Sequence, residues 1–197
     1  MTAAISVFRV EFDVDRYQAL LIDGNDSVFR RWRPVIELDG RLKADQWTPP
    51  PVYSHKPLLD LPDFWHLYGC AGIVATEKAM EIVEYLFLRA GELLPLPFKD
   101  SVLTVLNVTE VYDCIDPSNV VTRPSGAISE YAFLPHRLPE SSLFKIPETS
   151  WVEVLCVEGV VPLEEGFRWL VESSGLQGLR FVELWRGYGG SETSGLR

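Results

Sequence analysis

TEKAMEIVEYLFLRA (76–90), with GELLPL (91–96) and VLTVLNVTEV (102–111) close behind it, is the stretch that decides the fold. In its first part Ala79, Ile82, Val83, Leu86 and Ala90 recur at intervals of three and four, so they line one face of an α-helix. Met80 and Phe87 widen that face, and the helix is expected to be well buried. Thr76 suits the N-cap, because its hydroxyl can accept a bond from an N–H that the first turn leaves unpaired. Gly91 is placed to end the helix in a left-handed conformation. The stretch 102–111 is β-branched and dense in apolar residues, and it reads as a strand covered on both faces. Asp116-Pro117-Ser118-Asn119 then closes it with turn chemistry.

Working outward, residues 5–14 mostly alternate apolar and polar, which is the pattern of a half-buried strand. Residues 17–22 and 34–38 read as further short strands, separated by the Asp23-Gly24-Asn25-Asp26 turn. Prolines at 49–51, 57 and 62 interrupt regular structure, since proline fixes φ and has no N–H. Downstream, 130–134, 143–146, 151–157 and 179–185 read as strands, and 162–173 as a second helix ended by Gly175. Strands outnumber helices and often follow one another. The expectation is an α+β fold with a mainly antiparallel sheet and two principal helices. Its parts are a small N-terminal β-rich subdomain (1–47), a proline-rich connecting arm (48–68), a larger α+β part (69–187) and a flexible tail (188–197).

The chain has 197 residues, 47% of them hydrophobic and 12% aromatic, enough to bury a core without a disulfide or a metal. Global disorder is excluded, because disordered chains lack this much apolar surface. The 28 acidic and 18 basic side chains give a formal net charge of −10. That argues against nucleic acid, whose phosphates need a Lys/Arg surface, and against an anionic membrane surface. It fits a basic protein partner, although negative charge also serves solubility alone. The imbalance lies mainly after residue 70. Cys70, Cys114 and Cys156 are far apart and each sits in an apolar run, as buried free cysteines do in a reducing compartment. With no basic start followed by an apolar core, and no apolar run near ~20 residues, a cytoplasmic location is expected.

A search for chemistry finds little. His55, His66 and His136 show no metal-ligand spacing, and there is no C-x-x-C pair, nucleophile elbow or phosphate-cradling glycine loop. Gly187-Tyr188-Gly189-Gly190 is glycine-rich but has no helix after it to supply a dipole. No cofactor and no metal are expected. Asp113 and Asp116 are paired carboxylates, but they flank a turn that favours aspartate for local bonding. Glu77, Glu81 and Glu84 fall at i, i+4 and i+7, largely opposite the apolar stripe of the helix. Their mutual repulsion costs the helix about 0.2–0.5 kcal/mol per pair, so a partner would give this stripe a purpose; a plain solvated face is the simpler alternative.

GELLPL (91–96), LNVTEVYDCID (106–116), YAFLPHRLPESSLFKIPE (131–148) and FRWLVESSGLQGLRFVELW (167–185) occur in an order and spacing that resembles immunity protein family eleven of bacterial polymorphic toxin systems. YQALLI (17–22) and PDFWHL (62–67) are similar as well, while the proline-rich 48–62 segment has no counterpart. The resemblance implies an α+β protein, not an enzyme, that protects its producer or a sister cell by binding a cognate toxin domain, nucleases among them. It supplies no binding residues. From the residues themselves, the partner-binding candidates are Glu77, Glu81, Glu84, Asp113 and Asp116, with Trp47, Trp65 or Tyr188 as a possible aromatic anchor. Two alternatives stay open. One is a small-ligand or scaffold module with an apolar pocket. The other is an enzyme that brings Cys114 or Cys156 to His136 in space.

Overall fold

The computed structural model describes residues 4–188. In chain order it contains β1 (Ala4–Phe12), β2 (Ala19–Ile22), α1 (Asp26–Ile36), β3 (Val52–His55), β4 (Phe64–Leu67), β5 (Ile73–Ala75), α2 (Glu77–Ala90), β6 (Gly91–Phe98), β7 (Ser101–Val108), β8 (Val121–Thr122), β9 (Ile128–Glu130), β10 (Leu143–Phe144), β11 (Leu155–Glu158), α3 (Phe167–Ser173) and β12 (Leu179–Tyr188). The fold is α+β, as expected, with three α-helices among the described residues.

The strands form a six-stranded sheet in the order β3-β2-β4-β5-β7-β6, a four-stranded sheet β10-β11-β1-β12, and the hairpin β8–β9. All pairings are antiparallel except β2–β4. The six-stranded sheet curls until its edge strands β3 and β6 touch. Trp47 helps hold that closure, its Nε1 donating to the Pro95 carbonyl of β6 at 2.8 Å. In the four-stranded sheet β12 carries one extra residue, Leu184, opposite the Val7–Phe8 step of β1. This is a bulge, which bends the strand and breaks its register.

The strands of residues 1–47 go to different sheets. β1 lies between β11 and β12, whereas β2 joins the sheet built from β3 to β7. The 48–68 segment itself carries β3 and β4. The positions expected as boundaries, 47/48 and 68/69, lie in loops, and the strands on either side of each, β2 and β3, then β4 and β5, pair within one sheet. Tyr188 is the last residue of β12, and the rest of the expected tail, from 189 on, lies outside the described residues.

α1 corrects the strand expected at 34–38. Asn25 caps it, its side-chain oxygen accepting from Ser27 N at 3.1 Å and Val28 N at 3.2 Å. Val28, Trp32 and Ile36 follow at four-residue steps and pack on the inside of the curled sheet. Pro34 lies inside α1, exposed near its C-terminal end, where it forgoes the N–H bond to the Arg30 carbonyl. α2 starts as expected, with Thr76 Oγ1 accepting from Ala79 N at 3.3 Å. Its end is different. Gly91 is extended (φ 168) and opens β6 directly. Glycine is required there for close approach, since a Cβ would lie 1.9 Å from the Asn107 carbonyl oxygen.

Three apolar cores result. The largest joins both sheets through α2: Ala79, Val83, Leu86, Phe87 and Ala90 meet Phe64, Ile73 and Leu106 of one sheet, Phe8, Leu143 and Cys156 of the other, and Phe167 of α3. The second fills the curl of the six-stranded sheet, and the third lies under the arm 112–138. Lys145 is fully buried between them, its Nζ donating to the carbonyls of Leu38 and Ala71, the latter at 2.8 Å. It ties three distant segments together without a carboxylate bonded to it.

Burial pushes the Lys145 ammonium down to about 8, against the opposing pull of Cys70 and Asp39. Below that pH the lysine is charged in both folded and unfolded chains. Between about 8 and its ordinary value the unfolded chain keeps a proton that the folded chain has released, so stability rises with pH. Relative to Lys145→Met, the wild-type unfolding free energy should rise by about 2 kcal/mol from pH 8 to pH 10 in urea titrations. Gly91→Ala should lower stability by about 2 kcal/mol or more, measured the same way.

Candidate functional site

α2 exposes a defined outer face because its inner face is committed to the joint core. On that outer face stand Glu77, Glu81 and Glu84, all exposed. None of the ion pairs formed by the described residues engages any of the three. Beside them, towards the C-terminal end of the helix, lie two large apolar side chains, Tyr85 and Leu88, 44% and 62% exposed. The spacing makes the five contiguous: 77–81, 81–85 and 84–88 are four apart, 81–84 and 85–88 three apart. The Tyr85 hydroxyl is held above its ordinary value by partial burial first and by the Glu165 carboxylate second, with Arg89 opposing. Glu165, in the short turn before α3, therefore extends the negative field on that side.

The other flank of α2 borders a groove of about 740 Å³ against the β6–β7 hairpin. Glu77 and Glu84 line it from the helix and Asp100 from the hairpin turn. Lys78 also lines it, but its ammonium is held by Asp63 at 3.0 and 3.1 Å. Met80, Leu93 and Val102 supply apolar surface, and Val102 is 59% exposed.

Asp113 and Asp116 are on the loop after β7 and belong to neither surface. Asp116 accepts from Ser118 N at 2.9 Å and from Asn119 Nδ2 at 2.7 Å, and these bonds hold its carboxyl below the ordinary range. It is spent on the turn. Asp113 is exposed and has a long contact of 3.5 Å with Arg137. Of the aromatic anchors, Trp65 is buried and Trp47 is tied to Pro95, leaving Tyr188 exposed at the end of β12.

The nucleophile alternative meets unreactive groups. Cys114 and Cys156 are fully buried in different cores. Burial pushes the Cys114 thiol up to about 12, and the Cys156 thiol also well above its ordinary value. His66 is stacked on Phe12 with ring centres 4.9 Å apart, and burial lowers its pKa. Among the described residues no group of three or more His, Cys, Asp or Glu is arranged to hold a metal ion. No helix among the described residues is long and apolar enough to cross a membrane.

The motif residues that carry the family resemblance do structural work. Glu92 and Asn107 face each other across β6 and β7. Glu92 accepts from Lys43 N at 2.7 Å and Ala44 N at 3.1 Å, while Asn107 Nδ2 donates to Arg41 O at 2.7 Å and to Glu92 at 2.9 Å. Together they pin the 41–44 loop. Lys145 comes from LFKIP. Gly178 has φ +109, and a Cβ there would lie 2.2 Å from the Phe64 carbonyl oxygen.

The three glutamates singled out in the sequence are exposed on the outer face of α2, and Tyr85 and Leu88 beside them were not singled out. Leu88 had a signal, since helical spacing sets it among the glutamates and away from the apolar stripe. The groove had none, because it depends on how the hairpin packs beside α2. In the native protein at pH 8, Cys114 and Cys156 should stay unmodified by a thiol reagent over the time that unfolded chains react fully, as read by mass spectrometry. No family model matches the chain, and no curated protein matches it.

Proposed function

We propose that this protein binds a basic protein domain and neutralises it by occlusion, as an immunity protein does with its cognate toxin. The observation that carries this reading is the outer face of α2, where Tyr85 and Leu88 stand exposed among Glu77, Glu81 and Glu84. Apolar and aromatic side chains inside a polar rim are what a binding hot spot needs, because surrounding contacts exclude water from the anchor. The carboxylates add long-range attraction. Opposite fields can raise association to ~10⁸–10⁹ M⁻¹s⁻¹ at low salt.

The order of the GELLPL, NVT, LFKIP and G-x-x-G-x-x-F segments supports the same reading from the sequence side. Nuclease clefts are basic because they hold phosphates, and such a cleft would accept this face. Occlusion needs no bond made or broken by the inhibitor. It needs a rigid, correctly charged surface, and α2 is held rigid by the core that joins both sheets. Its place of action is the cytoplasm of the producing cell.

Co-expression with the toxin domain encoded beside it should restore growth, and the two chains should co-purify. Tyr85→Ala with Leu88→Ala should weaken the complex about 100-fold while leaving the urea midpoint nearly unchanged. Failure to rescue or co-purify with every neighbouring toxin domain would sink the reading.

A further inference from the structure

We infer that the groove between α2 and the β6–β7 hairpin seats an extended, lysine- or arginine-bearing segment of a protein partner, recognised through side chains and without strand addition. The inference rests on the reading of the outer α2 face as a protein-binding surface and names a second, more specific subsite beside it.

Charge complementarity selects the occupant. Glu77, Glu84 and Asp100 converge on the groove from two elements, and none is engaged in an ion pair with a described residue. The one cation in the lining, Lys78, is already neutralised by Asp63. Lys99, at the hairpin turn, is turned over the Phe98 ring, 5.1 Å from its centre, and does not line the groove. An anion entering here would face three carboxylates, with the one lining cation already paired. A segment bearing cationic side chains would meet carboxylates along the groove, on an apolar floor formed by Met80 and Leu93 and beside the exposed Val102. That floor suits the aliphatic stem of lysine or arginine and an apolar neighbour in the same segment. The volume, about 740 Å³, lies within the range of ligand-binding clefts.

The hairpin also says how the segment is not held. β6 is the edge of its sheet, the usual place for an incoming strand. Pro95 and Pro97 have no N–H to offer there, and the Pro95 carbonyl is taken by Trp47. Main-chain pairing along this edge is therefore blocked, and recognition falls to side chains. Charge and an apolar anchor decide affinity, and backbone register contributes nothing.

The test is an NMR titration of the full-length protein with the peptide acetyl-Gly-Lys-Leu-Lys-Gly-amide, and with its Glu-for-Lys counterpart as control. Amide shifts should centre on residues 76–84, 93–94 and 100–104, and the acidic peptide should leave them unmoved. Asp100→Lys with Val102→Lys, both in the groove and off the outer α2 face, should weaken the lysine peptide at least ~10-fold, a loss typical of placing like charges in close contact. Shifts scattered over all acidic surfaces, shifts placed elsewhere, no shifts at millimolar peptide, or indifference to the double variant would each overturn the inference. The two proposals separate cleanly. If toxin rescue succeeds and survives the groove double variant, the groove is not the subsite and the toxin-binding reading stands. If rescue fails while the peptide maps to the groove, the groove stands and the toxin-binding reading falls.

Discussion

Burial of the inner face of α2 is the constraint on which the rest depends. Ala79, Val83, Leu86, Phe87 and Ala90 are the side chains through which one sheet feels the other. A buried Leu or Phe contributes about 1.5–3 kcal/mol, so these positions outweigh anything on the outer face by a wide margin. The glutamate stripe costs only tenths of a kcal/mol per pair. The fold can therefore carry an unfavourable charge pattern at little expense, and that margin leaves the outer face open to be shaped by what it meets. Rigidity and freedom come from the same helix, one on each side.

A second layer of constraint is polar. Asn107, Glu92 and Lys145 spend their hydrogen bonds on backbone groups of distant loops. Buried polar groups are costly unless partnered; Glu92 and Lys145 meet that cost by fixing loop positions, and Asn107 does so through its Nδ2 alone, its Oδ1 having no partner among the described residues. Lys145 joins the β10 region to residues 38 and 71, and its ordering of those loops holds α1 against the curled sheet. Residues of this kind describe a scaffold. They say little about what the scaffold binds, because none of them lines the outer surface of α2.

Much of the fold could be read from the chain, and the reasons differ by element. α2 was legible because its apolar period is unambiguous and its N-cap is strong. β7 and β12 were legible from dense apolar runs. α1 was misread because Pro34 and Val35-Ile36 look like the start of a strand, whereas the cap at Asn25 and the Val28–Trp32–Ile36 spacing decide the matter. Gly91 was misread because close approach and left-handed φ favour the same residue, and a sequence does not tell them apart. The site was half legible. Three glutamates stand out by spacing, but the exposure of Tyr85 is set by α3 and the turn before it, which are remote in sequence. Asp116 was a fair candidate by composition and is consumed by its own turn.

The bulge in β12 has a bearing on how copies of this molecule behave when crowded. Ten residues of extended backbone with one neighbouring strand among the described residues would ordinarily invite a foreign strand to dock and propagate. Here the extra residue at Leu184 kinks the rail midway, and Arg180, Glu183 and Arg186 stud it with alternating sign. A strand arriving in register would lose alignment at the kink and meet a mismatched charge on either side of it. The longest rim of the molecule is thereby a poor template for fibre growth, and concentrated solutions should stay clear where a straight, apolar rim of equal length would gel.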